Sequence, residues 1–253
     1  MSKKRLKIDF HIHTNDYDWL ESEFSSRHII DNAAKNRFDA ISITEHNFLN
    51  YSRKLKNYAA KKGLLLIPGV EATIDGSHVL IINHDEKDAM RKIGKKIPRT
   101  FEELRRIKSR KNIIIAAHPY LALSSIKDRF ILHKDLFDAV EYNGFEDYFW
   151  FFPWNRKAIN LSKRFRKPLI ANSDSHYLFQ ENSAYSFVSA EKNTDSIINA
   201  IRKGDVEISR NRITNPFLFI AILYGEFTKI MHIWFDSKYR KFYKQHNPHR
   251  KHG

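Results

Sequence analysis

Short apolar runs alternate along this chain with longer amphipathic or polar segments, the pattern of repeated strand and helix units that build a parallel sheet. Residues 6–13 alternate apolar and polar positions and predict a first strand. Residues 38–44 predict a second, after a helical stretch that begins at Ser26, and residues 64–70 predict a third, after a lysine-rich helix. Each run ends at a polar cluster. After Glu71 the pattern becomes that of a hairpin, with Asp75 and Gly76 as its turn and residues 79–83 as the return strand. Further strands are predicted at 112–117, 138–142 and 168–172, and no internal repeat or low-complexity block interrupts the series.

The strand–helix pattern stops near Ile213, where Asn215 and Pro216 break it. This predicts one domain over residues 1–213 and an extension over 214–253. Residues 217–235 are aromatic-rich and helix-like, with Glu226 and Lys229 breaking their apolar character. Such a segment suits a packed C-terminal helix, or an interfacial or partner-binding one. The basic stretch that follows, through Lys251, is expected to be disordered. At 253 residues and 42% apolar composition, the chain can bury a sizeable core. It has no run of eighteen apolar residues, so no membrane span is expected. The basic start, residues 1–7, leads into an alternating strand and not into an apolar signal segment, which makes a cytoplasmic location the expectation.

Charge and cysteine usage narrow the chemistry. The formal net charge is +15, and the excess is clustered: eleven Lys or Arg between 87 and 111, and seven against one Asp from Lys229 onward. A nucleic-acid, nucleotide or otherwise phosphate-rich partner fits this, and so does a solvated basic surface, because no nucleic-acid-binding motif accompanies the charge. The absence of cysteine excludes disulfides, thiolate zinc sites and cysteine nucleophiles, leaving His, Asp and Glu to carry any metal chemistry; thirteen histidines are available.

Those residues fall at the ends of the predicted strands. Asp9, His11 and His13 form D-x-H-x-H, and a period of two places all three on one face of a strand. The second strand ends in Thr44-Glu45-His46, the third in Val70-Glu71, the fourth in His118-Pro119, and the last in Ser173-Asp174-Ser175-His176. A single strand-end His or Asp is more often a hydrogen-bonding residue than a ligand. Five strand ends that carry such residues point together to a metal site, because parallel α/β barrels gather their C-terminal strand ends on one face.

These motifs resemble those of the polymerase and histidinol phosphatase (PHP) superfamily. Asp9-Phe10-His11-Ile12-His13-Thr14 is similar to its first motif, Ile43-Thr44-Glu45-His46-Asn47 to its second, Gly69-Val70-Glu71 to its third, Ala117-His118-Pro119 to its next and Ser173-Asp174-Ser175-His176 to its last. The resemblance covers residues 7–212. It implies a distorted (β/α)7 barrel and a centre of two or three divalent metal ions, with Mn, Zn or Fe as occupants. Carried over by residue, it implies that His11, His13, Glu71 and Asp174 hold one ion. Glu71 would bridge to a second ion shared with His78 and His118, while His46, His176 and Asp18 would hold a third. His84 competes with His78 for its role. Glu45 stands where the family has Asp, a departure that touches fine geometry more than binding. The interval between His78 and His118 has no room for the large inserted domain of some members.

Imidazole and carboxylate ligands suit Zn, Mn or Fe, and clustered ions can clamp the attacking and leaving oxygens of a phosphate ester. The expected activity is therefore metal-dependent phosphoester hydrolysis by a metal-activated water. Glu71, Asp174 and His176 form the catalytic group, with Asp174 or His176 accepting or shuttling a proton. Glu141 and Asn143 resemble a strand-end pair that orients ligands, though simple loop hydrogen bonding accounts for them nearly as well. Three functional readings stand side by side: action on nucleotides or nucleic acid, which the charge favours; a small-molecule phosphatase of the histidinol phosphatase type; and a non-catalytic PHP binding module.

Overall fold

The structure, a computed structural model, describes residues 3–16, 24–83, 97–121, 124–144 and 153–211. All of them belong to the unit Met1–Asn211. Asp18, His84, residues 87–96 and the extension expected over 214–253 lie outside the described residues.

In chain order the elements are β1 (Lys4–Asp9), α1 (Ser26–Lys35), β2 (Ala40–Ile41), α2 (Arg53–Lys61), β3 (Leu65–Leu66), β4 (Gly69–Ile74), β5 (Ser77–Ile82), α3 (Phe101–Ile107), β6 (Ile113–Ala116), α4 (Arg129–His133), a 3-10 turn (Lys134–Leu136), β7 (Ala139–Asn143), α5 (Trp154–Phe165), β8 (Leu169–Asn172), β9 (Ala184–Ala190), α6 (Thr194–Lys203) and β10 (Val206–Arg210). They form two five-stranded sheets, ordered β10-β9-β1-β2-β3 and β4-β5-β6-β7-β8. Parallel pairing joins β1 to β2, β2 to β3, β6 to β7 and β7 to β8. The pairs β1/β9, β9/β10, β4/β5 and β5/β6 are antiparallel.

Local chemistry explains several boundaries. Ser52 caps α2 by accepting from the Leu55 N–H at 3.2 Å, and Asn193 caps α6 by accepting from Ser196 at 2.8 Å. The β4–β5 hairpin turns at Asp75 and Gly76, both with positive φ (45° and 79°), as the sequence predicts. The third predicted strand, by contrast, is divided. Leu65 and Leu66 pair with β2, the chain then crosses over at Ile67-Pro68, and Gly69 opens β4 in the other sheet. Gly69 permits the crossing: a Cβ there would lie 2.1 Å from Ser42 Oγ and 2.9 Å from Thr44 Cγ2.

The expectation of a barrel meets two sheets without a closed ladder among the described residues. Between them run isolated parallel bridges, Ile12↔Ser175 and His46↔Glu71. Regular pairing is broken by left-handed backbone just past the strand ends, at Asn47 (φ 53°), His118 (φ 22°) and Asp174 (φ 52°). Apolar side chains sort by alternation. Leu6, Ile8, Leu80, Ile82, Ile113, Ile115 and Ile170 share one core with α6 residues Ile197, Ile198 and Ile201. Val79, Ile81, Ile114 and Val140 face the other way and pack with Leu104, Phe130 and Leu161 of α3, α4 and α5. Burial of α1 and α2 against Ile41, Ile43 and Leu66 forms a third core.

Candidate metal centre

Glu71 is the hub of the site. It lies in the middle of β4 opposite Leu80, not at a strand end, and is buried at 1% exposure. Its Oε1 lies 2.8 Å from His78 Nδ1 and 2.9 Å from His118 Nε2. Its Oε2 lies 2.9 Å from His46 Nδ1, 3.3 Å from His11 Nε2 and 3.4 Å from His13 Nε2. Hairpin register delivers His78: Thr73 faces His78 and Glu71 faces Leu80, so Glu71 and His78 are diagonal neighbours on one face.

The opposite wall comes from Asp174, whose Oδ1 is 3.3 Å from both His11 Nε2 and His13 Nε2 and 3.9 Å from His176 Nδ1. His13 and His176 stack with ring centroids 4.4 Å apart, and His13 and His46 lie at 4.8 Å. Four groups have ligand atoms mutually within 4.8 Å: His11, His13 and Glu71; His11, His118 and Asp174; His13, His46 and His176; His46, Glu71 and His78.

The residues fit divalent cations on two grounds. First, buried nitrogens His11 Nε2 and His13 Nδ1 and Nε2, and the buried oxygen Glu71 Oε2, have no hydrogen bond of acceptable geometry; such atoms are costly unless another partner serves them. Second, ions bonded at about 2.0–2.2 Å hold neighbouring ligand atoms roughly 3.0–3.5 Å apart, and the contacts of Glu71 and Asp174 with His11 and His13 lie at 3.3–3.4 Å.

Electrostatics agree with the geometry. Burial pushes the Glu71 carboxyl up, but His78, His46 and His11 outweigh it and hold the group well below its ordinary range. Asp174 is likewise raised by burial and then held well below by His11, His13 and His176. Both are carboxylates. Burial lowers His13 to about 3, with repulsion from His176 adding to it, so its imidazole is neutral and one of its ring nitrogens carries a lone pair that can ligate. Burial also lowers His11, but Asp174, Glu141 and Glu71 more than reverse this, and its affinity for a proton lies well above the ordinary value. Three carboxylates that favour positive charge at this point equally favour a cation.

Around this cluster runs a buried amide and carboxylate frame. Glu141 Oε1 pairs with His11 Nδ1 at 2.9 Å and accepts from Asn172 Nδ2 at 2.8 Å, while its Oε2 accepts from the His118 N–H at 2.7 Å. Asn172 Oδ1 in turn accepts from the Phe10 N–H at 2.9 Å. Asp9, predicted on the same face as His11 and His13, instead accepts from Ser173 Oγ at 2.5 Å and from the Ser173 and His11 N–H groups. Burial raises it to about 7. Glu45 accepts from Asn50 Nδ2 at 3.0 Å and from Thr14 N–H at 3.2 Å, with its Oε2 3.9 Å from His13 Nδ1.

The structure thus brings together His11, His13, His46, Glu71, His78, His118, Asp174 and His176. Asp18 and the competing His84 lie outside the described residues. His46, expected with His176 and Asp18, also stands beside Glu71 and His78. Sequence reasoning passed over Asn172, Asn50 and Asn155, and gave Ser173 no role of its own within its motif. A buried Asn in an apolar strand, as in Leu169–Asn172, is the signal that could have exposed the first.

Comparisons with known proteins follow the same outline. Residues 9–120 match the PHP domain and residues 152–206 match the PHP-associated family. No curated protein matches the chain. Among solved structures, it is similar to a two-domain protein from Bacteroides vulgatus containing a predicted PHP-like metal-dependent phosphoesterase (21% identity, TM-score 0.63, 83% of this chain and 66% of that one). It is also similar to PsfC from Pseudomonas syringae (15%, TM-score 0.64, 89% and 99%). A third similar structure is a lesion-specific endonuclease from Pyrococcus furiosus (16%, TM-score 0.52, 81% and 58%). The chain therefore spans just under two thirds of the first protein and little more than half of the third.

Proposed function

This chain belongs to the PHP family, and from that premise we propose that it hydrolyses phosphate esters by a water activated at two or three divalent metal ions. The observation that carries the reading is the set of five imidazole nitrogens within 2.8–3.4 Å of the two oxygens of Glu71. His11, His13, Glu71 and Asp174 would hold one ion, Glu71 with His78 and His118 would hold a second, and His46, His176 and Asp18 would hold a third. When bound, such ions supply Lewis acidity and lower the pKa of a water, which suits displacement at phosphorus. Mn, Zn and Fe match the His and carboxylate donors.

The chain's own residues do the rest. Glu141 accepts from His11 Nδ1 and thereby turns Nε2 toward the centre, where an ion would take the place of a proton. His176, at the partly open side with 15% side-chain exposure, and the Asp174 carboxylate are placed to accept or pass a proton. The bridges Ile12↔Ser175 and His46↔Glu71 support closure of the two sheets into a distorted (β/α)7 barrel with this centre at one mouth. We assign residues 1–213 to the catalytic domain and 214–253 to an extension. No helix among the described residues is long and apolar enough to cross a membrane, and we take the protein to be cytoplasmic.

For the substrate, the net charge of +15 favours a nucleotide or nucleic acid. The similarity to a lesion-specific endonuclease points the same way. A small-molecule phosphatase is the second reading. The test is a screen of the manganese-loaded protein against an aryl phosphate, nucleoside monophosphates, histidinol phosphate and short oligonucleotides. Turnover of at least one, lost on chelation, is expected; no turnover of any, with the ions bound, would leave a non-catalytic binding module as the better reading.

A further inference from the structure

Asn155, the second residue of α5, touches no candidate ligand, yet its side chain is tied to one. Along β7 the Val140 N–H bonds to Pro168 O at 2.9 Å and the Gly144 N–H to Asn172 O at 2.8 Å. Strand alternation therefore turns the Asn143 N–H and C=O to the opposite side. On that side β6 pairs only through Ile115↔Ala139 and Ala116↔Val140 and has ended before Asn143 is reached. The Asn155 carboxamide takes the place of the missing strand: its Oδ1 accepts from the Asn143 N–H and its Nδ2 donates to the Asn143 C=O, both at 2.9 Å.

Thus fixed, Asn143 points inward, where its Nδ2 donates to Asp174 Oδ2 at 2.9 Å and to Glu141 Oε2 at 3.2 Å. With Oδ2 engaged, it is Oδ1 of Asp174 that stands 3.3 Å from the Nε2 atoms of His11 and His13. Asp174 also sits at φ 52°, a conformation an aspartate keeps only when its surroundings hold it. We infer that Asn155 is a positioning residue of the metal centre, acting through Asn143 to set which oxygen of Asp174 faces the ions. This rests on the metal-centre reading above, and links two residues of the PHP-associated segment, 152–206, Asn155 and Asp174, through Asn143 of β7.

The test follows metal loss from the loaded full-length protein to a chelator, with no substrate present, so a failed phosphatase screen does not bear on it. Asn155→Ala is expected to lose metal about tenfold faster than the wild type, within the usual range for a partner of a ligand. Asn155→Asp, which keeps the acceptor for the Asn143 N–H but cannot donate, should lose it at an intermediate rate. If Asn155 acts on the centre through Asn143, the pair Asn143→Ala with Asn155→Ala should lose metal no faster than Asn143→Ala alone. Leu161→Val, which loosens the packing of the same helix, should lower the melting temperature and leave metal loss at the wild-type rate. Additive losses in the double variant, or equal losses in Leu161→Val and Asn155→Ala, would overturn the assignment.

Discussion

Glu141 and His11 are both fully buried and meet at 2.9 Å between Oε1 and Nδ1, so that a residue of β7 fixes the tautomer of one just past the end of β1. The same carboxylate also accepts from the backbone of His118, and one side chain thereby sets the orientation of two candidate ligands.

Glu141→Gln is therefore expected to weaken metal affinity by about 10–100-fold, because the amide cannot accept from both His11 and His118 with the strength of a charged group. Calorimetric titration of the stripped protein with Mn or Zn checks this; unchanged affinity would show that His11 needs no orienting partner.

Glu71 and Glu45 offer a contrast on either side of the His46↔Glu71 bridge. Glu71→Gln removes the charge shared by five imidazoles and should abolish turnover together with most of the bound metal. Glu45, 3.9 Å from His13 and held by Thr14 and Asn50, should as Glu45→Gln retain most of the metal. Elemental analysis of both variants decides it, and equal losses would mean that the roles are misassigned.

A third expectation concerns stability and pH, away from the ligands. Burial raises Glu181 to about 8, only partly offset by the hydrogen bond from Asn32 at 2.6 Å, and its Oε1 has no hydrogen-bond partner. A carboxyl whose folded pKa lies above its unfolded value stabilises the fold fully below the unfolded value. That stability is lost as pH rises through about 8. Urea unfolding should show Glu181→Gln gaining on the wild type by a few kcal/mol between pH 5 and pH 9. A constant difference across that interval would mean that Glu181 is not held protonated.

The substrate reading has its own test in salt. If the basic segment 87–111 tracks a nucleic-acid backbone, neutralising Arg91, Lys92, Lys95 and Lys96 together should reduce oligonucleotide cleavage at moderate salt and flatten its salt dependence. Turnover of an aryl phosphate should hardly change. Proportional losses on both substrates would remove the nucleic-acid reading and leave the phosphoesterase.

Much of the site was legible because ligation needs particular atoms at particular strand positions, and D-x-H-x-H or a terminal Glu-His writes that requirement into a few adjacent residues. The frame behind it was harder to see. Asn155 works through its carboxamide on the backbone of Asn143, a role that no spacing in one dimension distinguishes from that of any other Asn near a helix start. The fold shows the same division. Apolar runs predicted β6, β7 and β8, but the split of residues 64–70 depends on the close approach of Gly69 to Ser42, which no periodicity records. Strands β9 and β10 went unpredicted because 184–190, with its serines three apart at 186 and 189, shows no period of two, and its place is set by antiparallel pairing with β1 and β10.

That edge bears on how the chain assembles during synthesis. β1 lies between β2 and β9, with Lys4 opposite Ala190 and Ile8 opposite Ser186. During synthesis β1 therefore waits with one bare flank until most of the described chain has followed it. An exposed strand edge invites pairing with other chains. The charged side chains of Lys4, Arg5 and Lys7 on that strand, set among its buried Leu6 and Ile8, act as its guard in the interval.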